Sequence, residues 1–187
     1  MPRKQFVLRP MAAKIFRQAL RLVNLEARYI RYRNRHHQPQ VIEGPPREIF
    51  TKYYLENKWG DKESLSGPGS NLKYTENLRS KLPELIDNYN ISAMLDAPCG
   101  DFHWFQHIRF NQPLDYIGAD IVEPMIEKLQ KQYTNEHRQF QVLDITADPL
   151  PDVDLWMCRD CLFHLSDEMI YKALANYLKS DIPYPFT

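Results

Sequence analysis

Three aspartates each come immediately after apolar residues at the end of a strand-like segment: Asp96 after "SAML", Asp120 after "DYIGA" and Asp144 after "RQFQVL". Three strands that end on carboxylates set a row of hydrogen-bond acceptors along one edge of a sheet. Asp120 lies 24 positions after Asp96. That is close to the ~20-residue interval at which an acidic residue meets a ribose in nucleotide-binding units, where it accepts from two hydroxyls at once. The turn after Asp96, "APCGDFHW", departs from the G-x-G-x-x-G fingerprint. Gly100 is its one glycine, Phe102 stands where backbone freedom is wanted, and Pro98 has no N–H to give a pyrophosphate. The pattern suits a nucleoside with a neutral or positive tail, for which the Asp96 carboxylate would meet an ammonium group, and disfavours an NAD site.

Other reactive side chains cluster nearby. Arg159, Asp160 and His164 follow a fourth apolar run, "VDLWMC", while His103 and Trp104 follow the first turn. Cys158, Cys161 and His164 have spacings open to zinc, but Cys158 sits inside an apolar strand and the glycine-rich turn of a zinc knuckle is absent, so no metal is expected. Three cysteines are too few for a secreted disulfide framework, which favours a reducing, cytoplasmic setting.

The elements that must position these groups alternate. "SAMLD", "DYIGAD", "RQFQVLD" and "VDLWMC" read as strands. "FHWFQHIRF" and "VEPMIEKLQKQY" read as the helices between them, and Ser166 caps a further helix, "DEMIYKALANYLK". Strand and helix in alternation predict an α/β, Rossmann-like parallel sheet with helices on both faces. Upstream, "REIFTKYYLEN" and "YTENLRSKLPELIDNY" are helical, with Pro83 a kink or late start. "KWGDKESLSGPGSN" is a turn-rich loop placed to fold over a ligand or to offer it backbone N–H groups, with Arg79 as a charge partner. Trp59 and Trp104 are candidate pocket walls.

The formal net charge of zero conceals a split: residues 1–37 hold ten Lys or Arg against Glu26 alone, so the remainder balances at minus nine. Ile15, Phe16, Ala19, Leu20, Val23, Ala27 and Ile30 share one face of a basic amphipathic helix. Such a helix suits an anionic membrane surface, nucleic acid, organelle targeting, or packing on the main domain. Residues 38–46, rich in proline, form a linker, and the folded domain spans 47–187.

The motifs "KWGDKESLSGPGSNLKYTENLRSKLP", "MLDAPCGDFHWF", "DYIGADIV", "VLDIT" and "CRDCLFHLS", in this order, resemble the class I S-adenosylmethionine-dependent methyltransferases, and within them a bacterial group with LDAPCGDFxW and RDxLFHLS motifs. The resemblance implies S-adenosyl-L-methionine as cofactor. Asp96, Ala97, Cys99, Gly100 and Asp101 would lie in the turn near its methionine part. Asp120 would bind the ribose with Ile121 against the adenine, and Asp144 would meet the adenine amino group beside Ile145. The activity implied is methyl transfer to an oxygen of a small molecule or glycan, with Asp160, His164 and His103 as candidate bases. Class I sheets have seven strands, whereas the sequence supplies four and then "SDIPYPFT", where Pro183 and Pro185 oppose a strand. The expectation is therefore a fold whose C-terminal strands are missing, with the fourth strand an exposed edge open to self-association. The alternative is a catalytically inactive nucleoside-binding or membrane-associated module that acts through its basic N-terminal helix.

Overall fold

The computed structural model describes residues 44–187. The amphipathic helix expected within 1–37, and most of the 38–46 linker, lie outside the described residues. Helix α1 (Pro46–Leu55) opens on Pro46, a residue preset for the first helical position, and α2 (Glu76–Asn88) runs through Pro83. Then come β1 (Ala93–Asp96), β2 (Asp115–Asp120), α3 (Glu123–Tyr133), β3 (Arg138–Val142), β4 (Leu155–Met157), α4 (Asp167–Lys179) and β5 (Tyr184–Phe186). All five strands are parallel, in the order β3-β2-β1-β4-β5. This is the α/β, Rossmann-like arrangement that the alternation predicts.

Strand alternation divides the core in two. Met94, Tyr116, Phe140, Leu155 and Met157 face the side covered by Leu82 and Ile86 of α2 and by Met125, Ile126 and Leu129 of α3. Leu95, Ala119 and Trp156 face the other side, with Leu165, Ala173 of α4 and Ile182. Ser166 caps α4 by accepting from the Met169 amide, and Asp167 and Glu168 sit in its first turn, as read from the sequence.

Two expectations are corrected. The segment 102–110 is no helix; it holds one 3₁₀ turn, Phe105–His107. Phe102 adopts a left-handed backbone (φ 61°), which a right-handed helix cannot contain, and Phe102, Trp104 and Phe105 are all buried. Second, "SDIPYPFT" does form a strand. Tyr184 N donates to Asp154 O and Cys158 N donates to Phe186 O, so the ladder uses the residues flanking Pro185, and Pro185, which has no N–H, is not called on to donate. A fifth strand is therefore present, and β4 is not the sheet edge. The outer edge is β5, three residues long and carrying a proline, both of which discourage strand addition.

Gly118 in β2 shows how closely the rings pack over the sheet. A Cβ there would lie 2.6 Å from Phe140 Cδ1 and 2.9 Å from Tyr116 Cε1. Gly118→Ala should destabilise by ~1–3 kcal/mol through overpacking, which lowers Tm by roughly 2–4 °C per kcal/mol at this size. A thermal melt with unchanged Tm would contradict this packing.

Candidate active site at the carboxyl ends of the strands

The polypeptide leaves β1 through a turn that is held from several directions. The Ala97 amide donates to Met157 O of β4, Trp156 Nε1 donates to Ala97 O, and the Cys99 amide donates to Ala119 O of β2. The Ala97–Pro98 peptide is cis, and Gly100 turns at φ 58°, which glycine adopts without steric cost. The Gly100 amide then donates to Asp120 Oδ2 at 3.1 Å, while the Val122 amide donates to Asp120 Oδ1 at 3.1 Å. One carboxylate thus pins both the turn after β1 and the bend after β2.

Asp96 and Asp120 are 2% and 7% exposed, and neither has a cationic partner within ion-pair distance among the described residues. Burial pushes the Asp96 carboxyl up to about 7, partly offset by the Tyr116 hydroxyl, which donates to Asp96 Oδ2 at 2.8 Å, and by the more distant charge of Arg159. Burial likewise pushes Asp120 up to about 6 against the backbone amides that favour its ionised form. Buried carboxylates with this little compensation suit a ligand that brings donors: an ammonium group at Asp96 and a diol at Asp120. Asp144 gives Oδ1 to the Thr146 amide and hydroxyl, and Oδ2 accepts nothing among the described residues. Ile121 packs against the first core cluster, and Ile145 belongs to the second. Cys99 is buried, and that burial pushes its thiol well up. Asp101 differs from the other acids in this edge: its carboxylate is occupied by the loop at Ser64, Leu65 and Ser66.

The three candidate bases do not converge. Asp160, in a left-handed conformation (φ 51°), pairs with Arg159 at 2.7 Å. The His164 ring lies 4.8 Å from that of Trp59 and 4.2 Å from that of Phe163. His103 instead lines a cleft of about 210 Å³ beside α3, with Tyr54, Glu63, Met125 and Lys128, and neither Asp160 nor His164 contributes to it. His103 Nε2 lies 3.4 Å from Glu63 Oε2, within ion-pair reach, yet makes no hydrogen bond. Arg79 donates to Leu72 O and Thr75 Oγ1, which holds the start of α2. Cys158 and Cys161 are buried and form no disulfide, and no metal-holding group occurs among the described residues.

Sequence reasoning passed over Tyr116 and undervalued Arg159. A tyrosine within an apolar strand requires a partner for its hydroxyl, and the adjacent strand ends on Asp96; that signal was present. Arg159 donates to Gly69 O, pairs with Asp160 and lies 5.3 Å from the centre of the Trp104 ring. Its reach across the edge depends on the loop path and left no trace in local spacing.

Residues 94–181 match the family model described as "Methyltransferase domain". That segment, a little under half of the chain, is similar to methyltransferase domains. The parallel α/β sheet of the described residues is Rossmann-like. Among solved structures, human N-acetylserotonin methyltransferase in complex with SAM is 20% identical (TM-score 0.42), over 66% of this chain and 40% of that one. Magnesium protoporphyrin IX methyltransferase from Synechocystis PCC 6803, with bound SAH, is 15% identical (TM-score 0.46), over 70% of this chain and 64% of that one. A TehB-like SAM-dependent methyltransferase from Corynebacterium glutamicum is 21% identical (TM-score 0.40), over 56% and 63%. The chain thus spans less than two thirds of each of these structures. No curated protein matches it.

The raised carboxyls set a pH dependence. An acid whose folded pKa is raised holds its proton more tightly when folded, so its contribution to stability is greatest below about pH 4 and is lost as pH rises through about 6 for Asp120 and about 7 for Asp96. For Asp120 the loss is on the order of 3 kcal/mol. The ligand-free protein should therefore melt lower at pH 8 than at pH 5, and Asp120→Asn should reduce that difference. Equal pH dependence in the two proteins would contradict the burial argument.

Proposed function

We propose that the chain binds S-adenosylmethionine along its carboxyl edge and transfers the methyl group to an oxygen of a small molecule or glycan. The observation that carries this reading is the buried Asp120 carboxylate, held by Gly100 and Val122 at the end of β2 within the segment that matches a methyltransferase-domain model. With one amide on each oxygen, Asp120 retains acceptor capacity on both for a ribose diol. Asp96, beyond the Tyr116 bond, suits the ammonium of the methionine part, and Asp144 Oδ2 suits the adenine amino group.

The bound cofactor supplies a methyl on a sulfonium, open to in-line displacement by the acceptor atom. What the protein contributes is mainly alignment, an effect worth ~7–11 kcal/mol in well-oriented systems. A base is needed only where the acceptor has a proton to lose. On this reading Asp160 or His164, both on the loop after β4, takes that proton, and His103, which lines the cleft beside α3, does not. The acceptor class rests on the resemblance of the motifs.

Two measurements test the reading. Calorimetric titration with S-adenosylhomocysteine should show binding that Asp120→Ala weakens at least tenfold, since hydrogen bonds to a charged group are worth ~1.5–3 kcal/mol. Transfer of labelled methyl from S-adenosylmethionine to hydroxylated acceptors should then fall in His164→Gln or Asp160→Asn with cofactor affinity unchanged. Wild-type protein that binds no S-adenosylhomocysteine would overturn the proposal.

A further inference from the structure

The loop between α1 and α2 buries hydroxyl groups to an extent unusual for a surface connection: Ser64 is 1% exposed and Ser70 8%. Their setting accounts for it. Asp101 Oδ2 accepts from the Leu65 amide at 2.7 Å, and its two oxygens share the Ser64 hydroxyl at 2.9 and 3.0 Å. Oδ1 also accepts from Ser66 Oγ at 3.3 Å and from the His103 amide at 3.2 Å. The Asp101 amide in turn donates to Ser66 Oγ at 2.8 Å, and the Ser66 amide donates to Ser64 Oγ at 3.1 Å. At the far end Arg159, from the loop after β4, donates to Gly69 O. Residues 64–69 therefore run from the turn after β1 to the loop after β4, fastened at both ends by charged side chains.

A carboxylate has about four acceptor positions, and in Asp101 the protein itself fills them. It has no capacity left for the amino group of a ligand, although the turn residue was expected to contact the cofactor. Ser66, which Asp101 holds, sits against Gly100 so closely that a Cβ on Gly100 would lie 2.3 Å from Ser66 Oγ. Gly100 is also the residue whose amide Asp120 holds.

We infer that Asp101 is a positioning residue: it latches the 64–66 segment onto Gly100 and so fixes the backbone that would surround the methionine end of the cofactor, without touching the cofactor. The part that concerns ligand rests on the function proposed above; the latch itself does not. Because the latch's own hydrogen bonds reach the turn after β1 and none reaches Asp120 or Asp144 directly, its loss acts first on the amino-acid tail of the ligand.

The test uses Asp101→Asn and, as a route that leaves the carboxylate intact, the pair Ser64→Ala with Ser66→Ala. Hydrogen exchange of the Leu65 and Ser66 amides should accelerate tenfold or more in both proteins. Affinity for S-adenosylhomocysteine should fall about tenfold in both, while affinity for adenosine, which lacks the tail, stays within twofold of wild type. Unchanged exchange in both variants would overturn the latch. Loss of S-adenosylhomocysteine affinity in Asp101→Asn alone, with the serine variant unaffected, would overturn it too and make Asp101 a direct contact. Wild-type protein that binds neither ligand would sink the cofactor reading, while the exchange rates would still decide the latch.

Discussion

The hydrogen bond from the Gly100 amide to the Asp120 carboxylate is the constraint around which the site is organised. It ties the turn after β1 to the end of β2, and it does so with a carboxylate almost wholly withdrawn from water. A buried acid costs free energy unless donors surround it. Asp120 has backbone donors on both oxygens, and Asp96 has the Tyr116 hydroxyl, but burial still raises both acids. The domain thus keeps two under-compensated acceptors where a ligand rich in donors would relieve them, a local cost of the kind that binding sites retain.

That cost is sustained by the packing beneath the turn. Phe102 is fully buried, with its ring 5.1–5.6 Å from those of Phe105, Tyr116, Tyr133 and Phe140. Tyr116 joins the two levels: its ring belongs to this cluster and its hydroxyl reaches Asp96. Above the turn, the 64–69 segment adds a polar layer through Asp101 and Arg159. Apolar contact from below and charged hydrogen bonds from above thus leave Ala97–Phe102 little freedom, and a site that aligns reacting groups depends on such rigidity.

The first four strands were legible because they are short segments, three of them ending at or near an aspartate, and their alternation with helical segments admits few topologies. Asp96, Asp120 and Asp144 were legible for the same reason. The segment after β1 was not. "FHWFQHIRF" has enough apolar residues for a helix, but Phe102 in a left-handed conformation prevents one, and nothing local announces a left-handed phenylalanine. Strand β5 was hidden by a different ambiguity. Pro185 rules out a strand only if its missing N–H belongs in the ladder, and which residues donate is set by pairing with β4, a tertiary fact. Asp101 looked like one more acid in a row of acids; its occupation by Ser64, Leu65 and Ser66 depends on a contact more than thirty residues away in sequence.

The central claim is that the aspartates at the ends of the first three strands form a nucleoside site. A crystal structure of the protein grown with S-adenosylhomocysteine tests it most directly. The account predicts the ribose hydroxyls on Asp120, the ammonium group at Asp96 and the adenine amino group at Asp144. A ligand seated elsewhere, such as the cleft beside α3 that holds His103, with Asp120 bonded only to Gly100 and Val122, would contradict it.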